Sequence, residues 1–349
     1  SYGSLFGTKC AMAGHDVTYV CTSNTSKLIN NEGTNVRIKI RGQNEHTNFN
    51  SKSFPGSTRA LVPSLILPND YDFVVLAMQE PQYSNIKPLM TKIARCNKPC
   101  LSIMNMPPLP YIKRIPKLVS GNFEKCYHDS SVWKLFDPGL VSLCSPDPQA
   151  FRPPEEEKNV LHVGLPTNFK AALFANKEHN DMLRELERDI SSLTHEGNDI
   201  PVKLRVYDSL FVPMAKWAML MAGNYRCVME SGSMSIKEAV HNHLGHSALL
   251  YSWVNSLTQE LGASLVDQVP FHKYAYASEN LFKPSSVARA LDSGACEVER
   301  VDRLIKQIYE YIDFEQNENV RRDLRSPGMT YPRDSTRGDG VPSFPMSRK

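Results

Sequence analysis

The sequence predicts an α/β protein of two domains, in which a doubly wound, mostly parallel sheet precedes an all-helical domain. The chain has 349 residues, about twice the roughly 100–200 residues typical of one domain. Strand-like and helix-like segments alternate as far as Tyr207, which is typical of a parallel sheet with crossover helices. From Asp208 onwards, helical patterns follow with hardly any strand signal. We therefore expect a first domain at 1–207, a helical domain at 208–320 and, at 321–349, a disordered tail too polar to bury a core.

The composition is that of a globular protein of a reducing compartment. Apolar residues make up 41% and charged residues 22%, close to ordinary globular usage. The net charge is only +3, from 40 basic and 37 acidic residues, which provides no basic field for nucleic acid. Eight cysteines without a C-x-x-C pair suit free thiols in the cytoplasm. No apolar run approaches the ~18 residues of a membrane span, so we expect neither a membrane nor a nucleic-acid partner, but a small molecule.

The first twenty residues read as the second half of a βαβ unit. A helix pattern opens near Gly3, closes at Gly14 and leads into a β-rich run that ends at Val20. A helix of this kind packs on a parallel strand that precedes it, and the sequence has no strand before Ser1. We expect the first strand and first glycines of a G-x-G-x-x-G loop to be missing from the sequence, with Gly3 as the last glycine of that loop.

Hydrophobic periodicity predicts the remaining elements. β-type runs lie at Val36–Ile40, Phe73–Ala77, Cys100–Met104, Val160–Val163 and, as a late edge strand, Val202–Tyr207. Helices of the first domain are predicted at Tyr83–Ala94 and His179–Leu193. Helices of the second domain are predicted at Ser209–Ala222, Ser235–Leu261, Ser285–Leu291 and Glu297–Phe314.

Four motifs, in this order along the chain, resemble those of one enzyme family. They are Gly3-Ser-Leu-Phe-Gly7 followed by Ala-Gly-His-Asp-Val-Thr, Ser102-Ile-Met-Asn105, Lys216-Trp-Ala-Met-Leu-Met-Ala-Gly-Asn224, and Pro284-Ser-Ser-Val-Ala-Arg-Ala-Leu-Asp-Ser-Gly294 with Glu297 to Asp302. Together, over roughly residues 1–315, they resemble the ketopantoate reductases (2-dehydropantoate 2-reductases). One departure is Met106-Pro-Pro108, which replaces the glycine that usually follows the asparagine of the second motif.

The resemblance implies a Rossmann-like dinucleotide-binding domain, here without its first strand, and a helical C-terminal domain similar to that of 6-phosphogluconate dehydrogenase. It also implies an NADP-dependent oxidoreductase that reduces a 2-oxo acid to a 2-hydroxy acid in the cleft between the domains. The cofactor contacts that it implies at the start of the chain are Gly3, Ser4, Leu5 and Phe6.

Lys216 is the candidate general acid. Reduction of a ketone needs a proton donor near the carbonyl oxygen, where negative charge accumulates. Lys216 lies in an apolar helix pattern, where burial should lower its pKa towards neutrality and make proton donation practical. The alternative is a lysine whose stem lies along the helix surface with its charge in water.

Two asparagines are candidate orienting groups for substrate. Asn105 follows a predicted strand, where ligands bind in open α/β sheets, so it is also a candidate contact for the cofactor; the alternative is a turn initiator. Asn224 lies eight residues after Lys216, on roughly the same helix face, and the alternative is a structural helix-end residue.

Ser285 and Ser286 are candidate substrate-binding residues, and the resemblance implies that a serine here helps to hold the substrate carboxylate. A serine after Pro284 would in any case cap a helix. The matching catalytic carboxylate is Glu297 or Glu299, and we favour Glu299 because of its spacing along the predicted helix; the alternative is a solvated glutamate.

The end of the second strand of such a domain selects the cofactor. An acidic residue there accepts hydrogen bonds from the ribose and repels a 2′-phosphate. Here Thr22 and Ser23 carry hydroxyls and Lys27 is near, which favours NADP and leaves NAD possible. The family's arginine after this strand is absent, and Met78 stands where a cofactor-binding lysine is expected.

Other sites and functions remain as alternatives. His241, His243 and His246 do not all share a helical face, so we expect no metal. A related dehydrogenase acting on another oxo acid or an opine-type imine is one rival, favoured by the Met106–Pro110 loop and the segment Phe136–Lys158. A non-catalytic dinucleotide sensor is the other, and a homodimer is the candidate assembly.

Overall fold

The structure is a computed structural model that describes residues 1–325, with side chains as far as Glu315. The strands are β1 Val17–Val20, β2 Asn35–Lys39, β3 His46–Asn50, β4 Thr58–Leu61, β5 Val74–Leu76, β6 Cys100–Ile103, β7 Val141–Ser145, β8 Gln149–Phe151, β9 Val160–Leu165, β10 Phe169–Ala172, β11 Thr194–His195, β12 Asn198–Asp199 and β13 Leu204–Tyr207. The helices are α1 Tyr2–Met12, α2 Ser23–Glu32, α3 Lys87–Arg95, α4 Leu109–Ile112, α5 Lys177–Ser191, α6 Lys216–Met219, α7 Ile236–His241, α8 Leu244–Leu261, α9 Phe271–Ser278, α10 Ser286–Asp292 and α11 Val301–Arg325. Helix α11 overlaps the start of the predicted disordered tail, and the rest of that tail lies outside the described residues.

The central sheet has five strands in the order β13-β10-β7-β6-β5. Strands β5, β6 and β7 are parallel, β10 runs antiparallel to β7, and β13 is parallel to β10 at the edge. The predicted α/β sheet and its late edge strand are therefore confirmed.

Two smaller sheets complete the first half of the chain, apart from the short β11–β12 hairpin. β1 and β4 form a parallel pair, while β3, β2, β9 and β8 form a four-stranded sheet in that order. β5 pairs with β6 alone, so no described strand joins the β1–β4 pair to the central sheet.

Helix α1 packs between the central sheet and β1. Phe6 contacts Phe169 of β10 edge to face, with ring centroids 5.4 Å apart. Gly7 lies against the ring of Tyr19, where a Cβ atom would come within 2.7 Å of a ring carbon. This close approach explains the glycine at position 7.

One hydrophobic core joins the strand-rich half to the helical half of the chain. It contains Trp133 from the first half and Trp217, Tyr251 and Ile305 from the second, all of them buried. Because the same core contains residues of both halves, their facing surfaces are held together by apolar burial.

The prediction of a regular helix over Ser209–Ala222 was wrong. A 3₁₀ turn precedes the short helix α6, and a π-helical turn then covers Leu220–Asn224. Tyr274 explains the irregular turn, because its hydroxyl oxygen lies directly beside Gly223. A Cβ atom at Gly223 would come within 2.0 Å of that oxygen. The same hydroxyl donates a hydrogen bond to the carbonyl of Met219 (3.2 Å), which stabilises the widened turn.

The predicted helix Glu297–Phe314 begins four residues later than expected. The hydroxyl of Tyr225 accepts a hydrogen bond from the N–H of Val301 (3.0 Å), the first residue of α11. Glu299 therefore lies in the extended segment before the helix, and its spacing along a helix was the wrong reason to favour it.

The predicted helix Ser235–Leu261 is divided into α7 and α8. The hydroxyl of Ser247 donates to the carbonyl of Val240 (2.7 Å), which satisfies a backbone group at the end of α7.

The state of the cysteines agrees with the expectation from the composition. All eight cysteines are free thiols, and five of them are buried. Within residues 1–325, no helix is both long and apolar enough to cross a membrane.

Candidate active site

Glu299 brings the helical half of the chain to the carboxyl ends of two strands. Its side chain is buried, with 5% of the residue exposed. One carboxyl oxygen accepts a hydrogen bond from the N–H of Glu80 (3.2 Å), just beyond β5. The other accepts from the amide of Asn105 (3.3 Å), just beyond β6. Two sequence-predicted site residues, Asn105 and Glu299, are thus in direct contact.

Burial changes the acidity of Glu299. It raises the pKa of this carboxyl from 4.5 to about 7, because the charged form loses its hydration. The hydrogen bonds from Glu80 and Asn105 act in the opposite direction, while the carboxylate of Glu80 adds to the rise. Near neutral pH, this carboxyl can therefore hold or release a proton.

Tyr225 fixes the backbone at Glu299. Its hydroxyl donates to the carbonyl of Glu299 (2.7 Å) while it accepts the N–H of Val301. Tyr225 directly follows the π-helical turn, so the segment that carries Lys216 also positions Glu299.

Lys216 lies at the start of α6 with its ammonium group turned towards the end of β7. The side chain is 20% exposed. Its Nζ donates to the carbonyl of Pro146 (2.7 Å) and lies 3.8 Å from a carboxylate oxygen of Asp147. Burial lowers the pKa of Lys216, and the negative charges of Asp147 and Glu299 oppose that shift. Lys216 therefore shares one electrostatic environment with Glu299.

Asp147 is a candidate site residue that the sequence analysis does not include. Its carboxylate forms an ion pair with Lys170 of β10 (3.0 Å), in addition to its approach to Lys216. Burial would raise the pKa of Asp147, but the two lysines hold it below its usual value. The signal in the sequence is an aspartate between Pro146 and Pro148, directly after a buried strand.

Glu297 and Glu299 occupy different places. A carboxylate oxygen of the exposed Glu297 lies 3.0 Å from Nδ1 of His128, whose backbone N–H donates to the buried side chain of Glu80. Glu299 is the one that lies beside Asn105 and near Lys216. Glu297 thus belongs to the surface beside the site.

Ser285 and Asn224 are joined through the backbone. The buried hydroxyl of Ser285 donates to the carbonyl of Asn224 (2.7 Å) and accepts the N–H of Ala288 (3.2 Å), as a helix cap of α10. Ser286 is exposed in the first turn of that helix. The geometry gives Ser285 a structural task, whereas the Asn224 amide and the Ser286 hydroxyl remain candidates for substrate contact.

The start of α1 presents Gly3 and Ser4 at the end of the central sheet. A Cβ atom at Gly3 would lie 3.1 Å from the Cβ of Ala77, just after β5, so helix and strand approach closely there. Leu5 and Phe6 are buried in the core. Of the four predicted cofactor contacts in α1, only Gly3 and Ser4 are therefore placed to contact a ligand.

Arg152 is a second residue that the sequence analysis does not include. Its guanidinium donates to the hydroxyl of Ser4 (2.7 Å) and to the carbonyl of Val160 (3.3 Å). It also lies close enough to Cys21, at the end of β1, for electrostatic interaction. Among the described ion pairs, none joins Arg152 to a carboxylate. A positive charge is thus available beside the first turn of α1.

The other cofactor candidates lie at the start of α2 and after β5. Thr22, Ser23 and Lys27 are exposed, and the hydroxyl of Thr22 contacts that of Thr25 (3.1 Å). Met78 donates its N–H to the hydroxyl of Tyr83 (3.1 Å).

Asn105 has a free acceptor in the site. Its Oδ1 is buried and has no hydrogen-bond partner among the described residues, while its amide nitrogen contacts Glu299. Tyr2 of α1 lies close enough to Glu299 and Asp147 for their negative charges to act on it. Burial is the largest cause, and these charges add to it, in raising the pKa of Tyr2 to about 12. The start of α1 is therefore adjacent to Glu299.

No group of three or more His, Cys, Asp or Glu side chains suited to a metal ion occurs in the described part of the chain. The ring of His241 instead contacts the carbonyl of Ala275 and the hydroxyl of Ser278.

Comparisons with known proteins identify the fold. No model of a protein family matches the sequence, and neither does any curated protein. Among solved structures, the PanE/ApbA-family ketopantoate reductase of Ralstonia eutropha JMP134 has a TM-score of 0.57 at 12% identity, over 92% of this chain and 93% of that one. D-mandelate dehydrogenase, in a ternary structure with NADH and anilino(oxo)acetate, has a TM-score of 0.56 at 12% identity, over 92% and 95%. The dimeric ketopantoate reductase of Staphylococcus aureus has a TM-score of 0.51 at 11% identity, over 84% and 86%. The chain therefore has the fold of the ketopantoate reductases and of D-mandelate dehydrogenase.

Proposed function

We propose that this protein is a nicotinamide-dependent oxidoreductase that reduces a small 2-oxo acid to the 2-hydroxy acid. The observation that carries the proposal is the cluster of Lys216, Glu299 and Asn105 at the carboxyl ends of the central strands. In open α/β sheets this is where ligands bind. We assign the cofactor to the domain at 1–207 and substrate closure to the domain at 208–320.

The residues present fit a dinucleotide cofactor. The unpartnered Oδ1 of Asn105 suits the amide of a nicotinamide, and the Arg152–Ser4 pair beside α1 suits a phosphate. When bound, the reduced cofactor supplies the hydride. We favour NADP, since the end of β1 carries hydroxyls and Lys27 rather than an acid, and NAD remains the alternative.

Lys216 donates the proton in this proposal. As the carbonyl carbon gains the hydride, its oxygen takes the proton from the ammonium group and becomes a hydroxyl. Burial makes the ammonium group a stronger acid, and the negative charge of Asp147 is the largest influence that keeps it charged. Near neutral pH Glu299 is partly protonated, and in that form it donates a hydrogen bond to the substrate carboxylate, with Asn224 and Ser286 as further contacts.

The substrate is a small acid whose side chain is to be identified. Ketopantoate is the first candidate, because of the four motifs. The likeness to D-mandelate dehydrogenase favours a second candidate, an aromatic 2-oxo acid such as phenylglyoxylate. The assembly that we propose is a homodimer, which analytical ultracentrifugation would test.

The experiment is a titration of NADPH and of NADH into the protein, followed by cofactor fluorescence. Ketopantoate or phenylglyoxylate is then added while absorbance of the reduced nicotinamide is recorded. Saturable binding with oxidation on addition of one acid is the expected result. Binding without oxidation by any 2-oxo acid would favour a dinucleotide sensor, and absence of binding would refute the proposal.

A further inference from the structure

We infer that Asp147 is a positioning residue for Lys216, which fixes its ammonium group at the end of β7 and keeps it charged as the proton donor. The inference rests on the proposed function, because it concerns the role of Lys216 in reduction.

The contacts of Asp147 divide between its two carboxylate oxygens. Oδ1 lies 3.8 Å from Nζ of Lys216 and accepts the hydroxyl of Ser145, while Oδ2 lies 3.0 Å from Nζ of Lys170. The carbonyl of Pro146, one residue earlier, accepts from the same Nζ of Lys216 at 2.7 Å. Two groups of a single loop therefore hold the ammonium group.

This loop is built to keep its shape. Prolines flank Asp147 on both sides and restrict its backbone, and its N–H donates to the carbonyl of Ser145 (3.0 Å). Ser145 itself is buried and is paired with Lys170 across β7 and β10. The carboxylate is thus fixed before any ligand arrives, so Lys216 is preorganised at no cost to binding.

The charges around Lys216 determine the direction of the effect. The groups that face it are Asp147 after β7, Glu299 before α11, Lys170 on β10 and Cys144 on β7. Burial is the largest influence and lowers the pKa of Lys216. Asp147 is the largest opposing influence, and Lys170 adds to the lowering. Asp147→Asn should therefore lower the pKa of Lys216, and Lys170→Gln should raise it.

The direct test is the reactivity of Lys216 in the protein without cofactor or substrate. Acetic anhydride is applied over a series of pH values, and acetylation of Lys216 is quantified by peptide mass spectrometry. The midpoint should move to lower pH in Asp147→Asn and to higher pH in Lys170→Gln. Asp181→Asn, which breaks an exposed pair with Lys177, is the matched control and should leave it unchanged.

An unchanged midpoint in Asp147→Asn would overturn the inference. If that variant does not fold, Lys170→Gln decides alone, and an unchanged or lowered midpoint overturns it.

Kinetics then separate positioning from a structural role. Asp147→Asn should lose on the order of tenfold in kcat, part of the roughly 10²–10⁴-fold that a positioned acid contributes, with the basic limb of its pH profile moved to lower pH. The dissociation constant of NADPH should stay within about twofold, and Asp147→Glu should recover most of the rate. A shifted midpoint in a protein that reduces no 2-oxo acid would overturn the proposed function, while the pairing of Asp147 with Lys216 would stand.

Discussion

Replacing Glu299 by glutamine should remove the part of the pH dependence of the free energy of unfolding that this carboxyl causes. Its pKa in the folded protein is about 7, against an ordinary value of 4.5. Since the folded value is the higher one, the folded state binds more protons between them. The stability from this group is complete below pH 4.5 and is lost as the pH rises through about 7. At ~1.36 kcal/mol per pKa unit, about 2.5 kcal/mol of that loss falls between about pH 5 and about pH 8.

Urea denaturation of both proteins at the two pH values measures this loss. The free energy of unfolding of the wild type should fall by about 2.5 kcal/mol more than that of Glu299→Gln. The glutamine can still accept the N–H of Glu80, and Asn105 can turn its unpartnered Oδ1 towards the new amide. Glu297→Gln, at the exposed carboxylate nearby, is the matched control. Parallel pH profiles of the wild type and Glu299→Gln would refute the reasoning.

Three further variants test other parts of the site. Lys216→Met should lower kcat by roughly 10²–10³-fold with little change in NADPH affinity, because it removes the proton donor; wild-type turnover would exclude Lys216 as the acid. Arg152→Gln should weaken NADPH binding by about tenfold in a fluorescence titration, since it removes the positive charge beside α1, and equal affinity would place the phosphates elsewhere. Ser285→Ala should cost about 1 kcal/mol of unfolding free energy in urea through the lost cap on Ala288, with kcat/KM unchanged. A selective rise in the KM of the oxo acid would instead show that Ser285 binds substrate.

The sheet could be predicted because strand signals are local. Predicted runs at Val36–Ile40, Phe73–Ala77 and Cys100–Met104 correspond to β2, β5 and β6 within one or two residues at each end. Each is a short apolar or alternating run, which depends only on the residues within it. β7 was missed, since its sequence Val-Ser-Leu-Cys-Ser gives a weak signal although every residue is buried.

The candidate site could be predicted only where a motif marks it. Asn105, Lys216 and Glu299 each lie in a recognisable motif, whereas Arg152 and Tyr225 take part only through distant partners. Arg152 contacts a residue 148 positions away, and Tyr225 one that is 74 positions away. Such pairs exist only once the chain has folded, so no periodicity in the sequence reports them.

The π-helical turn at Leu220–Asn224 determines whether Lys216 and Asn224 lie on the same side of their segment. In a regular α-helix, eight residues rotate by roughly 800°, which would leave Asn224 about 80° away from the direction of Lys216. A π turn accommodates one extra residue, so the eight residues cover about the rotation of seven, roughly 700°, within about 20° of two full turns. The two residues thus come onto one side of the segment through its irregularity. Deleting a single residue such as Met221 would leave seven residues of regular helix, again roughly 700°, and would keep Asn224 on the side of Lys216. The spacing therefore tolerates the loss of the one extra residue, whereas a second deletion would turn Asn224 away by about 100°. Gly223 cannot vary freely, because Tyr274 occupies the place of its Cβ atom.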